Sequence, residues 1–287
     1  IGLGGLVGFL SGMFGIGGGF LTTPLLIFYG IPPAIAVASA ATQITGSSVS
    51  GALAYWKRGG VDVRIGAVLI AGGVVGAALG SMLFKLLQAL GQIDVTINII
   101  YVVFLGTIGG LMLREALAAL AAQKAGQVAP TRMRARNPLV TSLPFKMRYS
   151  DSGLFISPLA PLLLGLATGI LTAIMGIGGG FIIVPALIYV LGMPAKMVVG
   201  TSLFQIIFVT AVTTLLHSVQ SQTVDIVLAI LLLAGGVIGA QFGVQAAQKL
   251  PPERLRLFLA LIVLGVAARV AYGLTVAPSE LFTIYAA

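Results

Sequence analysis

The sequence predicts an all-α polytopic membrane protein made of two inverted repeats, each with three spanning helices and one glycine-broken re-entrant helix hairpin. Three observations carry that reading. The 287 residues are 58% hydrophobic and only 8% charged, with a mean hydropathy of +1.11, far more apolar surface than a soluble domain carries. The word Gly-Ile-Gly-Gly-Gly-Phe occurs twice, at 15–20 and 176–181, with Pro24 and Pro185 at the same distance behind it. Basic loops also change places between the two halves.

The spans come first. Apolar runs of about 20 residues or more lie at 34–56, 65–87, 93–113, 224–247 and 255–274, each long enough for a bilayer core of about 30 Å. The alternating pattern of an outer-membrane barrel is absent, which leaves helices.

The repeat follows from sliding the chain on itself. At an offset of 161, Gly15 to Phe20, Pro24 and Pro33 meet Gly176 to Phe181, Pro185 and Pro194. At 162, Gln43-Ile44 meets Gln205-Ile206; at 163, Val61-Asp62 meets Val224-Asp225 and 71–74 meets 234–237. The division is a first transmembrane repeat at 1–114, a basic cytoplasmic linker at 115–152 and a second repeat at 153–287. The linker reading rests on Lys124, Arg132, Arg134, Arg136, Lys146 and Arg148, because cytoplasmic loops collect Lys and Arg.

Orientation comes from charge. Lys57, Arg58 and Arg64 crowd one loop of the first half, whereas the matching segment 217–225 has no Lys or Arg. Lys249, Arg254 and Arg256 mark a second-half loop whose counterpart near 90–94 is not basic. That exchange is what inverted topology produces under the positive-inside rule. Inversion needs an odd number of crossings per half, so each interrupted segment is expected to enter and leave on one side. The arms at 161–174 and 181–191 fit, since 14 residues of helix span only about 21 Å. The competing reading takes 1–29 as a single kinked span and gives eight spanning helices.

Candidate chemistry sits at the breaks. Glycine permits positive φ and close approach of a ligand to the backbone. A helix that starts there presents free N–H groups and its positive dipole end to an anion. Gly17, Gly18 and Gly19, and Gly178, Gly179 and Gly180, are therefore expected to hold a small anion between two opposed tips. The bland alternative is close helix packing by small residues. Polar patches follow in each half: Ser39, Thr42, Gln43, Thr45, Ser47 and Ser48, then Thr201, Ser202, Gln205, Thr210, Thr213 and Thr214. Most of these read as interhelical hydrogen bonding. Thr42, Gln43, Thr201, Ser202 and Gln205 are carried as substrate contacts, since neutral donors bind an oxyanion without a buried cation. Gly72, Gly76 and Gly80, matched by Gly235, Gly239 and Gly243, form a packing stripe. Asp62 and Asp225 begin spans as N-caps. Arg269, near the end of its apolar run, reads as snorkelling, and Tyr55 and Trp56 as interfacial anchors.

The exclusions are equally direct. No cysteine and one histidine, His217, leave no metal site, no cofactor and no catalytic residues, and no acid lies mid-span for a carboxylate relay. The net charge of +9 is topological, so no nucleic-acid partner is expected; the partners are a small anion and the lipid bilayer, with a homodimer as a candidate assembly. No cleavable signal is evident, and Ile1 in place of methionine suggests a missing or trimmed N-terminus.

These residues resemble one family. Gly15-Ile-Gly-Gly-Gly-Phe with Pro24, then Ile31-Pro-Pro, Gly51-Ala-Leu-Ala, Val61-Asp62 and the 72–80 glycines are similar to TauE/SafE membrane permeases. The second half repeats the set and adds Gly200-Thr-Ser-Leu-Phe-Gln. The first half departs from it, with Ser39-Ala-Ala-Thr where Gly-Thr-Ser-Leu is usual. The resemblance implies export, sometimes uptake, of sulfite, sulfoacetate, sulfonates and related organosulfur anions. More distantly similar thiosulfate carriers use cysteines, which this chain lacks. The expected protein is a bacterial inner-membrane, multi-pass secondary transporter of small sulfur oxyanions working by alternating access. A passive anion channel, or a transporter of another small organic anion, is the alternative; a membrane enzyme or a scaffold subunit explains the motifs less well.

Overall fold

The computed structural model describes residues 1–14, 19–124, 144, 146–149, 151–247 and 252–275. Among them are ten α-helices and one β-hairpin. The first half has α1 (Gly2–Phe14), α2 (Gly19–Phe28), α3 (Pro33–Lys57), α4 (Val63–Ala89) and α5 (Ile93–Lys124). Strands β1 (Met147–Tyr149) and β2 (Leu154–Ile156) come next. The second half has α6 (Leu159–Met175), α7 (Gly180–Tyr189), α8 (Ala195–Leu216), α9 (Ile226–Ala247) and α10 (Pro252–Thr275). A π-helical turn, His217–Ser221, extends α8.

Local chemistry explains the boundaries. Pro33 occupies the first turn of α3 behind Pro32, and α8 starts directly after Pro194. Proline suits those positions because its φ is already helical and its missing N–H would be unpaired there anyway. Asp62 caps α4 by accepting from Ile65 N at 3.0 Å. Asp225 does the same for α9 through Leu228 N at 2.9 Å, so both aspartates play the capping part read from sequence.

Among the described residues, five helical stretches are long and apolar enough to cross a membrane: Val63–Ala89, Ile93–Ala118, Lys196–Ser221, Ile226–Gly243 and Leu257–Thr275. Helix α3 has 25 residues and carries the first polar patch. The arms of the glycine breaks are shorter, 13 and 10 residues for α1 and α2, and 17 and 10 for α6 and α7.

The two halves interlock. Helix α1 packs on α9, and its counterpart α6 packs on α4, the counterpart of α9; α3 packs on α8 and α5 on α10. Glycine makes the first two contacts close. A Cβ on Gly72, Gly76 or Gly80 would run into the α6 backbone at Leu162, Leu166 and Ile170 in turn. One on Gly4 or Gly8 would meet the α9 backbone at Leu232 and Gly236. Positions rise together in both pairs, so α4 runs parallel to α6 and α1 parallel to α9. The stripe read as structural is structural. Between α3 and α8 the order reverses: the Thr42 and Thr214 hydroxyls are 3.3 Å apart, those of Thr45 and Thr210 2.8 Å. These two helices are antiparallel. One apolar cluster spans both halves, including Val7, Phe20, Tyr101, Met175, Phe181 and Val263.

Two local readings change. The boundary placed at 114/115 falls inside a continuous helix, because α5 runs on to Lys124. The segment read wholly as linker, 115–152, holds strand β1, which pairs with β2 at the start of the second repeat, Met147 to Ile156 and Tyr149 to Leu154. Its inward residues Tyr149 and Ile156 are buried against Ile65 and Leu69 of α4, a tertiary contact that a basic, proline-containing composition does not announce.

Candidate functional site

The second glycine break is a tight turn joining α6 to α7. Gly176, Gly178 and Gly179 all have positive φ, between 67° and 76°, a region in which an L side chain is strained. The turn is walled closely. A Cβ on Gly178 would lie 3.3 Å from Thr210 Cγ2, and one on Gly179 3.3 Å from Thr172 Oγ1 and 3.4 Å from Thr168 Cβ. Helix α7 starts at Gly180, so its first N–H groups, which have no carbonyl within their own helix, lie at this turn.

The first break lies against the second. A Cβ on Gly19 would come within 2.5 Å of Ile177 O. The phenylalanines that end the two words, Phe20 and Phe181, stack with ring centroids 4.4 Å apart and planes 12° apart. The structure therefore brings Gly19 against the turn that holds Gly178, Gly179 and Gly180, and all four are buried. Gly17 and Gly18 lie outside the described residues.

Two groups hold the C-terminal end of α6, where the break leaves carbonyls without helical partners. Tyr101 of α5 donates to Met175 O at 2.5 Å. His217 Nε2 is 2.9 Å from Ala173 O, and its ring packs edge-on to Phe84 at 4.5 Å. Neither residue was singled out as a site residue. The available signals were the lone histidine and a tyrosine inside the apolar run 93–113.

The matched glutamines stand in different circumstances. Gln43 accepts at Oε1 from Thr22 Oγ1 at 3.0 Å, and its Nε2 faces Gly236. Gln205 faces the matching Gly73, where a Cβ would stand 3.1 Å from Nε2. It is completely buried, yet among the described residues neither amide atom has a hydrogen-bond partner. The cause is in the sequence. At the offset of the glycine words, Thr22 corresponds to Ile183, which is buried and apolar and has nothing to donate. An amide left unpaired in an interior costs about 1–3 kcal/mol.

The two glutamines are not brought together. The Thr42–Thr214 and Thr45–Thr210 pairs put Gln43 level with residues 213–214 of α8. Gln205 lies eight or nine residues from that level, an axial separation of about 12 Å. Of the remaining candidates, Thr42 bonds Ala38 O and Thr214. Ser202 donates to Val199 O. Thr201 accepts from Asp62 N at 2.9 Å, as Ser39 does from Asp225 N at 3.3 Å. These two matched bonds tie the start of each half's fourth helix to the polar helix of the other half. Thr168 and Thr172, missed from sequence, add buried hydroxyls beside Gly179.

Residues 1–270 match the family described as "Sulfite exporter TauE/SafE". The chain belongs to the TauE/SafE family. It is also similar to proteins named as probable membrane transporters. One from Xylella fastidiosa (strain 9a5c) is 31% identical over 271 residues, 93% of this chain and 92% of the relative. YunE of Bacillus subtilis (strain 168) is 24% identical over 284 residues, 94% and 95% of the two chains. MJ0441 of Methanocaldococcus jannaschii is 25% identical over 276 residues, 91% and 90%. No solved structure matches. This TauE/SafE chain is thus a multi-pass membrane transporter, for which a bacterial inner membrane is a consistent location, and its relatives carry the names of transporters rather than enzymes.

Proposed function

We propose that the protein is a secondary transporter of small sulfur-containing oxyanions of the sulfite, sulfonate or sulfoacetate type. The observation that carries this is Gln205: a fully buried amide with no hydrogen-bond partner among the described residues, on the helix whose Thr210 walls the Gly176–Gly179 turn. The Gln205 Nε2 supplies a neutral donor and the start of α7 supplies backbone N–H groups. An oxyanion bound there needs no buried cation. The family's description supplies the sulfur chemistry.

The repeats at 1–114 and 153–287 are proposed to be inverted, with the breaks as re-entrant hairpins. The packing directions support this. Helix α1 runs with α9, α6 with α4, and α3 against its own counterpart α8. With successive reversals through the loops, these directions fit α2 and α7 doubling back. Alternating access would come from one repeat rocking on the other about the Phe20–Phe181 stack.

The test is counterflow of labelled sulfite, sulfoacetate and taurine in proteoliposomes. Concentrative or exchange flux of at least one of them is expected, lost in Gln205→Ala with the folded fraction intact; uncoupled leak down a gradient, or full flux in the variant, overturns the reading. Single cysteines replacing Arg58 and Gln220 should label from opposite faces, and labelling from one face removes the inversion.

A further inference from the structure

A second site lies away from the central breaks, where α2, α5 and α10 leave a cavity of about 580 Å³, within the size range of small-molecule pockets. Arg269 of α10 stands in it. Its guanidinium lies 4.9 Å over the Phe28 ring and 5.8 Å from that of Tyr272. Among the described residues it has no carboxylate partner. A lone cation on a membrane helix is costly and needs an anion or water. Stacking on the ring faces leaves the N–H edges of the planar fork available, the geometry that meets a phosphate through two bonds.

The rest of the lining specifies more. Asn98 of α5 has a buried Oδ1 with no hydrogen-bond partner, so the site also has an acceptor for a hydroxyl. Gly265, Arg269 and Gly273 are spaced four apart and share one face of α10. A Cβ on Gly265 would meet nothing within 4 Å. That glycine does not serve helix packing as Gly72 and Gly76 do; it keeps a trough open. The trough is otherwise apolar, with Leu25 and Val266 among its walls. Arg269 is six residues before Thr275, about 9 Å from the end of the helix, a distance over which a long arginine side chain reaches towards the interface. At the 163 offset its counterpart is Gly106, so the site lies outside the duplicated machinery.

We infer that this groove holds one anionic glycerophospholipid, its phosphate on Arg269, a headgroup hydroxyl on Asn98 and an acyl chain along the Gly265 face. The combination of one cation, one acceptor and a long apolar trough open to the bilayer fits an amphiphile better than a free inorganic anion.

Native mass spectrometry of the delipidated protein, titrated with phosphatidylglycerol or phosphatidylcholine, tests this without any transport measurement. Wild type is expected to retain one phosphatidylglycerol in preference to phosphatidylcholine. Arg269→Gln should weaken that retention about tenfold, as loss of a charge-assisted pair does. Gly265→Leu, which keeps the charge and fills the trough, should weaken it as well. Arg269→Gln lies on an exposed face, so it keeps the test valid if Gly265→Leu fails to fold. Equal retention of both lipids, unchanged retention in Arg269→Gln, or displacement of the lipid by millimolar inorganic phosphate would overturn the proposal.

Discussion

Replacing Gln205 by Leu should separate fold from function. The side chain is fully buried with both amide atoms unpaired, so the fold already bears a desolvation cost of about 1–3 kcal/mol. Leucine is of similar size and removes that cost. The variant should unfold at or above the wild-type temperature, while flux falls to background. The control is Thr22→Val, which deletes the 3.0 Å bond to Gln43 and strands an acceptor that is now satisfied. Interhelical hydrogen bonds in membranes are worth about 0.6–1.7 kcal/mol, and the stranded oxygen adds to that. A loss of about 1–2 kcal/mol is expected, read as a drop of several degrees in detergent thermal unfolding. If Gln205→Leu destabilises as much as Thr22→Val, Gln205 has a structural partner and is not waiting for a ligand. If flux survives, it is not in the site.

Three further outcomes follow from the packing and the caps. Gly76→Leu should cost about 1–3 kcal/mol or prevent folding, because its Cβ would overlap Leu166 O, whereas Gly106→Ala, with nothing within 4 Å, should be neutral or stabilising in the same melt. Asp62→Ala should cost more than Asp225→Ala: the buried Asp62 accepts from both Ile65 N and Ser152 N, and the exposed Asp225 caps only Leu228 N, so about 1–2 kcal/mol against about 1 is expected. Burial first, and the nearby Asp62 carboxylate second, push the Tyr149 hydroxyl above the usual tyrosine range. A raised pKa in the fold means stability that is full below about pH 10 and lost as pH climbs towards the folded value. Alkaline melts should show a smaller loss in Tyr149→Phe than in wild type.

Much of this was legible in the chain because it is local or periodic. An N-cap needs one carboxylate and the amide three residues on, so Asp62 and Asp225 could be read directly. A glycine every fourth position declares a close helix contact, and Gly72, Gly76 and Gly80 made it. The β-hairpin was not legible, since Tyr149 and Ile156 are buried in a cluster with Ile65 and Leu69 of α4, residues far from them in the chain. Nor was the difference between Gln43 and Gln205. Each was read as half of a matched pair, but what separates them is a residue 21 positions upstream in one case and an isoleucine in the equivalent place in the other.

The sequence by itself determined a helical membrane chain, its duplication, where each half is broken and which helix face is small, because hydropathy, repetition and glycine spacing are properties of the chain alone. Only the tertiary structure decided that Phe20 and Phe181 stack face to face, that α1 lies along α9 while α6 lies along α4, and that Thr22 satisfies one glutamine and nothing satisfies the other. Those outcomes depend on which half supplies each neighbour, and a side chain's hydrogen-bond balance is set by neighbours rather than by its own position in the chain.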